Sequence, residues 1–341
     1  MKNILFLLGL LIALLLNACS FSTKKEIKFP VVEQVSFETV DSLFLGQPLT
    51  MQIFDNIDLY ISDFHEPMII HYDLDEKKEV SRFLNKGNGP EETLPPVILS
   101  NNSLFNNRLY TLSKQSRNLG YYTLIENPIS YTPLFRFPYF FGNIISFDKD
   151  RYLVHGFFED DSHYYRILDE QGNEIQRIGE YPDFLQGEKD FPNMVKVIFH
   201  TVQFSCSNYR KKIVSTGPYV LDIIDFSQEI TDSSIQRIPL AKYDYTYTTG
   251  THNSTEIKSG FVYGSYDLAS DDSYIYLLFN PNTDKNEGLK AEIWVFDWDG
   301  NPVKKLLLNR SPSLITISGD SHIYGLVLNK DEMYEIVKVK I

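Results

Sequence analysis

Two thiols stand in this chain of 341 residues, Cys19 and Cys206, in very different surroundings. Cys19 closes the stretch Leu16-Asn17-Ala18-Cys19, which follows Lys2 and an apolar run over residues 4–16 broken only by Gly9. A cationic start, a short apolar core and a small residue before the cut describe a secretory signal peptide. The run is short of the ~20 residues that a spanning helix needs. Leu16 and Ala18 ahead of a cysteine follow the lipobox pattern of type II signals. There the thiol becomes a thioether carrying diacylglycerol, and the freed N-terminus is acylated. Each buried methylene contributes about 0.8 kcal/mol, so several acyl chains together form a lasting anchor. The chemistry expected at Cys19 is therefore lipidation, with residues 1–18 as signal peptide and 19–30 as lipidated tether. Cys206, in Phe204-Ser205-Cys206-Ser207, then has no disulfide partner within the chain. It reads as a buried structural thiol, because a nucleophilic role would need a histidine and an orienting group beside it in space.

Other residues with chemical reach form weaker patterns. The histidines are His65, His71, His155, His163, His200, His252 and His322, and no two have the i, i+4 spacing of a helical zinc site. A three-histidine centre would have to be assembled from distant segments. Glu159-Asp160-Asp161 and Asp271-Asp272 could hold calcium, which takes several oxygen ligands, yet neither follows the twelve-residue calcium loop. Both read first as solvated turns. Gly87-Asn88-Gly89-Pro90 is a poor phosphate loop, since Pro90 lacks an N–H and Glu91-Glu92 add negative charge. No Gly-x-Ser-x-Gly elbow is present. The recognition candidates are Tyr243, Tyr245, Tyr247, Tyr263 and Tyr266, because tyrosine joins an apolar body to a polar tip. The same alternation also suits a half-exposed strand. Asp41-Ser42-Leu43 matches a short O-glycosylation sequence used in Bacteroidetes. No catalytic residue, cofactor site or metal site is assigned.

The formal net charge is −13, and removing Lys2 with the signal makes it one unit more negative. Nucleic acid is thereby excluded as a partner, since it needs clustered Lys and Arg. No basic amphipathic helix offers itself to an anionic bilayer, so lipid on Cys19 is the expected membrane contact.

The elements that must position these residues are strands. After about residue 26, short β-rich runs alternate with clusters of Asp, Asn, Gly, Ser and Pro. Residues 293–296 and 303–308 flank Asp297-Trp298-Asp299-Gly300-Asn301, and residues 164–168 and 174–178 flank Asp169-Glu170-Gln171-Gly172-Asn173. Both are hairpins, because glycine accepts positive φ without steric cost. Residues 68–83 give a third, less regular copy. A second unit, a polar turn followed by an aromatic-bearing strand, recurs over residues 106–112, 148–154, 271–278 and 319–326. Together these make one four-stranded antiparallel sheet per ~50 residues, and about 320 mature residues give roughly six such blades of a propeller. Residues 314–341 hold three strand-like runs. Residues 32–37, or the run just after them, are expected to supply the fourth and close the ring. Residues 31–341 are then one β-propeller domain, although 183–262 divides poorly into repeats.

Residues 83–92, Phe83-Leu84-Asn85-Lys86-Gly87-Asn88-Gly89-Pro90-Glu91-Glu92, resemble the glycine-proline-acidic motif of six-bladed, TolB-like propeller lipoproteins of Bacteroidetes. The stretches 267–276 and 295–302 are similar to the same family, and the resemblance spans the mature chain. It implies an all-β fold, a six-bladed propeller of four-stranded antiparallel blades, and a cell-envelope location. It carries no catalytic residues. The expected function is that of a membrane-anchored envelope lipoprotein whose propeller binds or scaffolds an envelope protein or glycan. The alternatives are an envelope lyase or hydrolase acting on glycan, lactone or peptide at the channel, and a small-ligand sensor. Ser20 lacks the aspartate that retains some lipoproteins in the inner membrane. The outer membrane is therefore expected, on its periplasmic face or at the cell surface.

Overall fold

The computed structural model describes residues 27–89, 92–100, 107–124, 130–137, 141–148, 151–158, 162–183, 185, 188–241, 243–248 and 254–341. The signal peptide, Cys19, most of the tether, Glu159-Asp160-Asp161 and His252 lie outside the described residues. Six four-stranded antiparallel sheets follow one another around a ring. Blade I is Pro48–Phe54, Asp58–Asp63, Ile69–Asp73 and Lys78–Phe83; blade II is Val97–Leu99, Arg108–Ser113, Asn118–Thr123 and Ser130–Arg136. Blade III is Phe141–Ser146, Tyr152–Gly156, His163–Leu168 and Glu174–Glu180; blade IV is Gln203–Ser207, Lys212–Thr216, Val220–Asp225 and Ile235–Pro239. Blade V is Val262–Ser270, Tyr274–Thr283, Glu292–Asp297 and Pro302–Leu308. Blade VI combines Leu314–Ile317, His322–Leu328 and Tyr334–Lys340 with Glu38–Leu43 from the other end of the chain.

The ring is therefore closed by the run after residues 32–37. Val31–Val35 instead adds to the outside of blade V, pairing parallel with residues 304–308. First strands touch between blades I and II and from blade III round to blade I, which places them around the axis. Antiparallel order then fixes two faces. Turns between first and second strands and between third and fourth strands share one face, here the inner-turn face. The remaining turns and the blade-to-blade connections share the other, the crossover face.

Why these sequences make these strands follows from what lies on either side of them. Second and third strands are covered on both flanks by neighbouring blades, so Leu59, Ile61, Ile70 and Tyr72 are fully buried. Six apolar clusters fill the six gaps, as with Ile145, Tyr165 and Ile178 of blade III against Phe204, Ile213 and Ile224 of blade IV. Burial at about 25 cal/mol per Å² makes this ring of gaps the principal source of stability. The two Asp-x-x-Gly-Asn turns have matching bonds. Asp169 accepts from the N–H groups of Gln171 and Asn173, and Asp297 does the same from Asp299 and Asn301. Gly172 and Gly300 hold φ of 81° and 78°. A Cβ at Gly300 would also stand 2.6 Å from the tip of the Ile238 side chain of the preceding blade, but it is the positive φ that calls for glycine.

The region 183–262 resisted division because blade IV carries an insertion on each side. Before it come a 3₁₀ turn, Glu188–Asp190, and a helix, Asn193–Phe199. After it comes the hairpin Tyr245–Thr248 with Ser254–Ile257. Both insertions are blade-to-blade connections and so lie on the crossover face.

Candidate ligand-binding site

On the inner-turn face the axis opens into a cavity of about 350 Å³. Blade I contributes Gln52, Asp55 and Asn56, blade IV Ser205 and Cys206, blade V Ser270, Asp271 and Asp272, and blade VI Thr316 and Ser318. Each comes from the end of a first strand or from the turn after it, so ring closure alone brings them together. Asn56 accepts a bond from Gly319 N at 2.5 Å across 263 residues of sequence. Ser205 and Ser270 hydroxyls bond to each other at 2.8 Å, and Ser207 donates to Asp272 Oδ1 at 2.6 Å. Asp271 is a turn former: its Oδ1 takes the N–H groups of Ser273 and Tyr274, and its Oδ2 takes the Tyr276 hydroxyl at 3.0 Å. The lining is thus rich in hydroxyl, amide and carboxylate groups, which can orient a polar molecule by hydrogen bonds. A cavity of this volume lies at the lower end of the ~300–1,000 Å³ usual for small-molecule sites.

The densest titratable cluster lies on the opposite face and is closed. Glu188 is fully buried, and its carboxylate meets His200 Nε2 at 2.8 Å, the Tyr243 hydroxyl at 2.6 Å and the Tyr245 hydroxyl at 2.7 Å. Burial pushes Glu188 upward, but the bonds from His200, Tyr243 and Tyr245 outweigh it and hold the carboxyl at about 2. The stack Phe199–Tyr245, 3.8 Å between centroids at 15°, ties the helix to the hairpin. This is a polar clamp between the two insertions. A general acid or base must reach a substrate, and both Glu188 and His200 are buried.

Three further buried groups set the electrostatics. Asp222, fully buried in blade IV, takes two parallel bonds from Arg237, each 2.8 Å, and a third from the Tyr165 hydroxyl of blade III at 2.8 Å. Asp267, in the first strand of blade V, accepts Ile315 N of blade VI at 2.6 Å, and burial raises it to about 7. Among the described residues, neither ring nitrogen of His155 in blade III finds a hydrogen-bond partner. Burial, with help from the charges of His200 and Lys114, takes it down to about 3.

The sequence-derived candidates divide among these regions. Tyr243 and Tyr245 are buried in the clamp, and Tyr247 is half-buried beside Phe191 at 5.9 Å. Tyr263 and Tyr266 are partly exposed on the first strand of blade V, where Tyr266 donates to Pro312 O at 2.8 Å. The five do not share one platform. Cys206 is buried, 3 % exposed, yet its edge lines the cavity. The loop around Gly87 is closed by its own acid, because Glu92 accepts from Gly89 N at 2.9 Å where a phosphate would have to lie. Asp271-Asp272 forms part of the mouth. Among the described residues, no three His, Cys, Asp or Glu side chains come together as a metal site. Asp55, Ser205, Ser270 and Thr316 were not singled out in the sequence. The recurring polar turn before each second strand was their signal, since those turns share one face.

Solved structures share this architecture. A protein of Bacteroides fragilis described as exported aligns with a TM-score of 0.54 at 13 % identity, over 91 % of this chain and 98 % of its own. A member of the DUF4221 family from Bacteroides vulgatus aligns with a TM-score of 0.50 at 12 % identity, over 93 % and 98 %. At such identities these likenesses concern the fold alone. No curated protein matches the sequence. The description of the TolB-like 6-blade propeller-like family matches residues 24–320, the greater part of the chain, and the protein belongs to that family.

Proposed function

We propose that this protein is a lipid-anchored binding module of the cell envelope whose propeller takes a small polar ligand at the inner-turn mouth. The observation that carries this reading is the mouth itself: about 350 Å³, assembled from four blades and lined by hydrogen-bonding groups. Binding is favoured over catalysis because Asp271 is occupied as a turn former and the Glu188–His200 pair is sealed on the other face. Anchoring is supported by Lys2, the apolar run and Leu16-Asn17-Ala18-Cys19. No helix among the described residues is long and apolar enough to cross a membrane. The exported Bacteroides fragilis neighbour agrees with an envelope location. Ser20 after the lipidated cysteine favours the outer membrane, and a single acid among residues 20–26 leans towards its periplasmic face.

Two measurements test the reading. Cys19→Ala is expected to move the protein from the membrane fraction to the soluble one. Continued membrane retention would refute the lipid anchor. For the mouth, ligands bound to the folded state raise its stability by mass action, by about 2.7 kcal/mol at a hundred times Kd. A panel of small polar compounds is expected to raise the melting temperature of the wild type and not of Ser270→Phe, which fills the cavity. Equal shifts in both proteins would place binding elsewhere.

A further inference from the structure

The helix Asn193–Phe199 on the crossover face has its polarity reversed. A surface helix turns its apolar stripe to the core and its charges to water. Here Lys196 is turned inward, 5 % exposed, while Met194 and Ile198 stand 63 % and 62 % exposed. Spaced i, i+4, these two share one side of the helix. The hairpin of the neighbouring insertion adds Ile257, also exposed. Apolar side chains grouped at a surface in this way mark a contact.

The place where the chain joins the ring says what that contact meets. Ala241 packs with the cluster that holds helix and hairpin together, and also with the cluster that fills the gap between blades IV and V. Ile27 and Phe29 pack into that same gap, with the Phe29 ring 5.3 Å from Trp294 and 5.6 Å from Phe296. Val31 stands opposite Lys304, near the inner-turn end of the outer strand of blade V, so the chain enters at that end. Only seven residues separate Ile27 from Cys19. A chain of that length spans at most about 28 Å. Lipid on Cys19 thus keeps a bilayer beside the rim of blades IV and V at high effective concentration.

We infer that Met194 and Ile198 enter the bilayer that carries the anchor, as a second membrane contact. This inference rests on the lipid anchor proposed above and goes beyond it by giving the propeller an orientation. The tether joins the rim at its inner-turn end, and the helix lies at its crossover end. When both touch one surface, the ring stands on the edge formed by blades IV and V. Its axis then runs along the membrane and its mouth opens to water. Two side chains are too little apolar surface to hold the chain alone, since even one myristoyl group binds only marginally. The helix acts once lipid has brought it there, so Cys19→Ala still releases the protein.

The test is tryptophan fluorescence of the mature lipidated protein in phosphatidylcholine vesicles, with and without bromine on the acyl chains as a contact quencher. These vesicles carry no net charge to repel a chain of −13. Met194→Trp and Ile198→Trp place the reporter on the helix. Phe64→Trp places it on the same face across the ring, just after the second strand of blade I, where Phe64 is exposed. Trp294 and Trp298 are buried and common to all, so the parent protein gives the background. Brominated lipid is expected to reduce the added emission of both helix variants at least twofold and to leave that of Phe64→Trp unchanged. Unquenched helix variants in vesicle-bound protein would overturn the contact and leave the anchor standing. Equal quenching of all three would overturn the edge-on orientation, since the whole crossover face would then lie on lipid. Protein that does not stay with the vesicles would count against anchor and contact together.

Discussion

Asp222→Ala is expected to destabilise the protein by about 3–5 kcal/mol, the cost of removing one partner from a buried ion pair. Asp222 is fully buried, and its two oxygens take three bonds of 2.8 Å, two from Arg237 and one from Tyr165. Arg237 in turn donates to Glu180 O of blade III at 2.8 Å, so the group ties blade III to blade IV at their outer half. Burial pulls Arg237 down, and the bonds and charge of Asp222 raise it above its ordinary value; a guanidinium is in any case too basic to shed its proton near neutrality, so it stays charged when the carboxylate is gone. The variant therefore leaves a guanidinium without its carboxylate, with only Glu180 O to bond, while the Tyr165 hydroxyl keeps only Ser215 Oγ at 3.0 Å. The double variant Asp222→Leu with Arg237→Met, which removes both charges, is expected to recover most of the loss. Denaturant unfolding of the two single variants and the double measures the coupling directly. A loss below about 1 kcal/mol for Asp222→Ala would mean that the bridge is no stronger than a surface pair. Lys258–Asp244, with both partners about half exposed, is such a pair.

The second large effect concerns pH, where two buried groups oppose one another. His155 sits at about 3 in the folded chain against an ordinary 6.5. The unfolded chain therefore binds the extra proton first, and stability is lost as pH falls from about 6.5 towards 3. Asp267 sits at about 7 against an ordinary 3.8. Here the folded chain holds the extra proton, so stability falls as pH rises from about 4 through 7. Each shift exceeds three pH units, worth on the order of 4 kcal/mol at 1.36 kcal/mol per unit. Between pH 4 and 6.5 the two slopes are expected to cancel, giving the wild type a nearly flat profile. His155→Phe should then gain stability as pH is lowered through this window. Asp267→Asn should be more stable than wild type at pH 8 and lose that advantage on acidification. The groups facing them are His200 and Lys114 for His155, and Tyr266 with the N–H groups of Ile315 and Leu268 for Asp267. Melting temperatures of the three proteins from pH 4 to 8 decide the matter. Parallel profiles would show that neither group titrates as its burial requires.

Much of the fold was legible because a propeller repeats one physical problem. Every second strand lies between two neighbouring blades, so residues 152–156 and 274–279 carry apolar side chains on both faces. Every hairpin turn must reverse the chain tightly, so Asp169–Asn173 and Asp297–Asn301 share a solution. Which run would close the ring was not legible. Residues 31–35 and 38–43 are both strand-like, and only the geometry of the last gap decides that Glu38–Leu43 enters blade VI while Val31–Val35 stays outside blade V. Residues 183–262 were opaque for a different reason: the two insertions pack on each other and obey no repeat. Glu188 and its partners His200, Tyr243 and Tyr245 are separated by 12 to 57 positions. The alternation of Tyr243, Tyr245 and Tyr247 was visible, but the acid that buries two of their hydroxyls was not. The mouth was hidden for the same cause, since Asp55, Ser205, Asp272 and Thr316 meet only when the ring is closed.

The most direct measurement is a co-crystal structure of the protein with the compound of the panel that stabilises it most. That compound is expected in the inner-turn mouth, among Ser205, Ser270, Asp272 and Thr316. Density for it on the crossover face, beside Glu188 and the two insertions, with the mouth holding only solvent, would contradict the account.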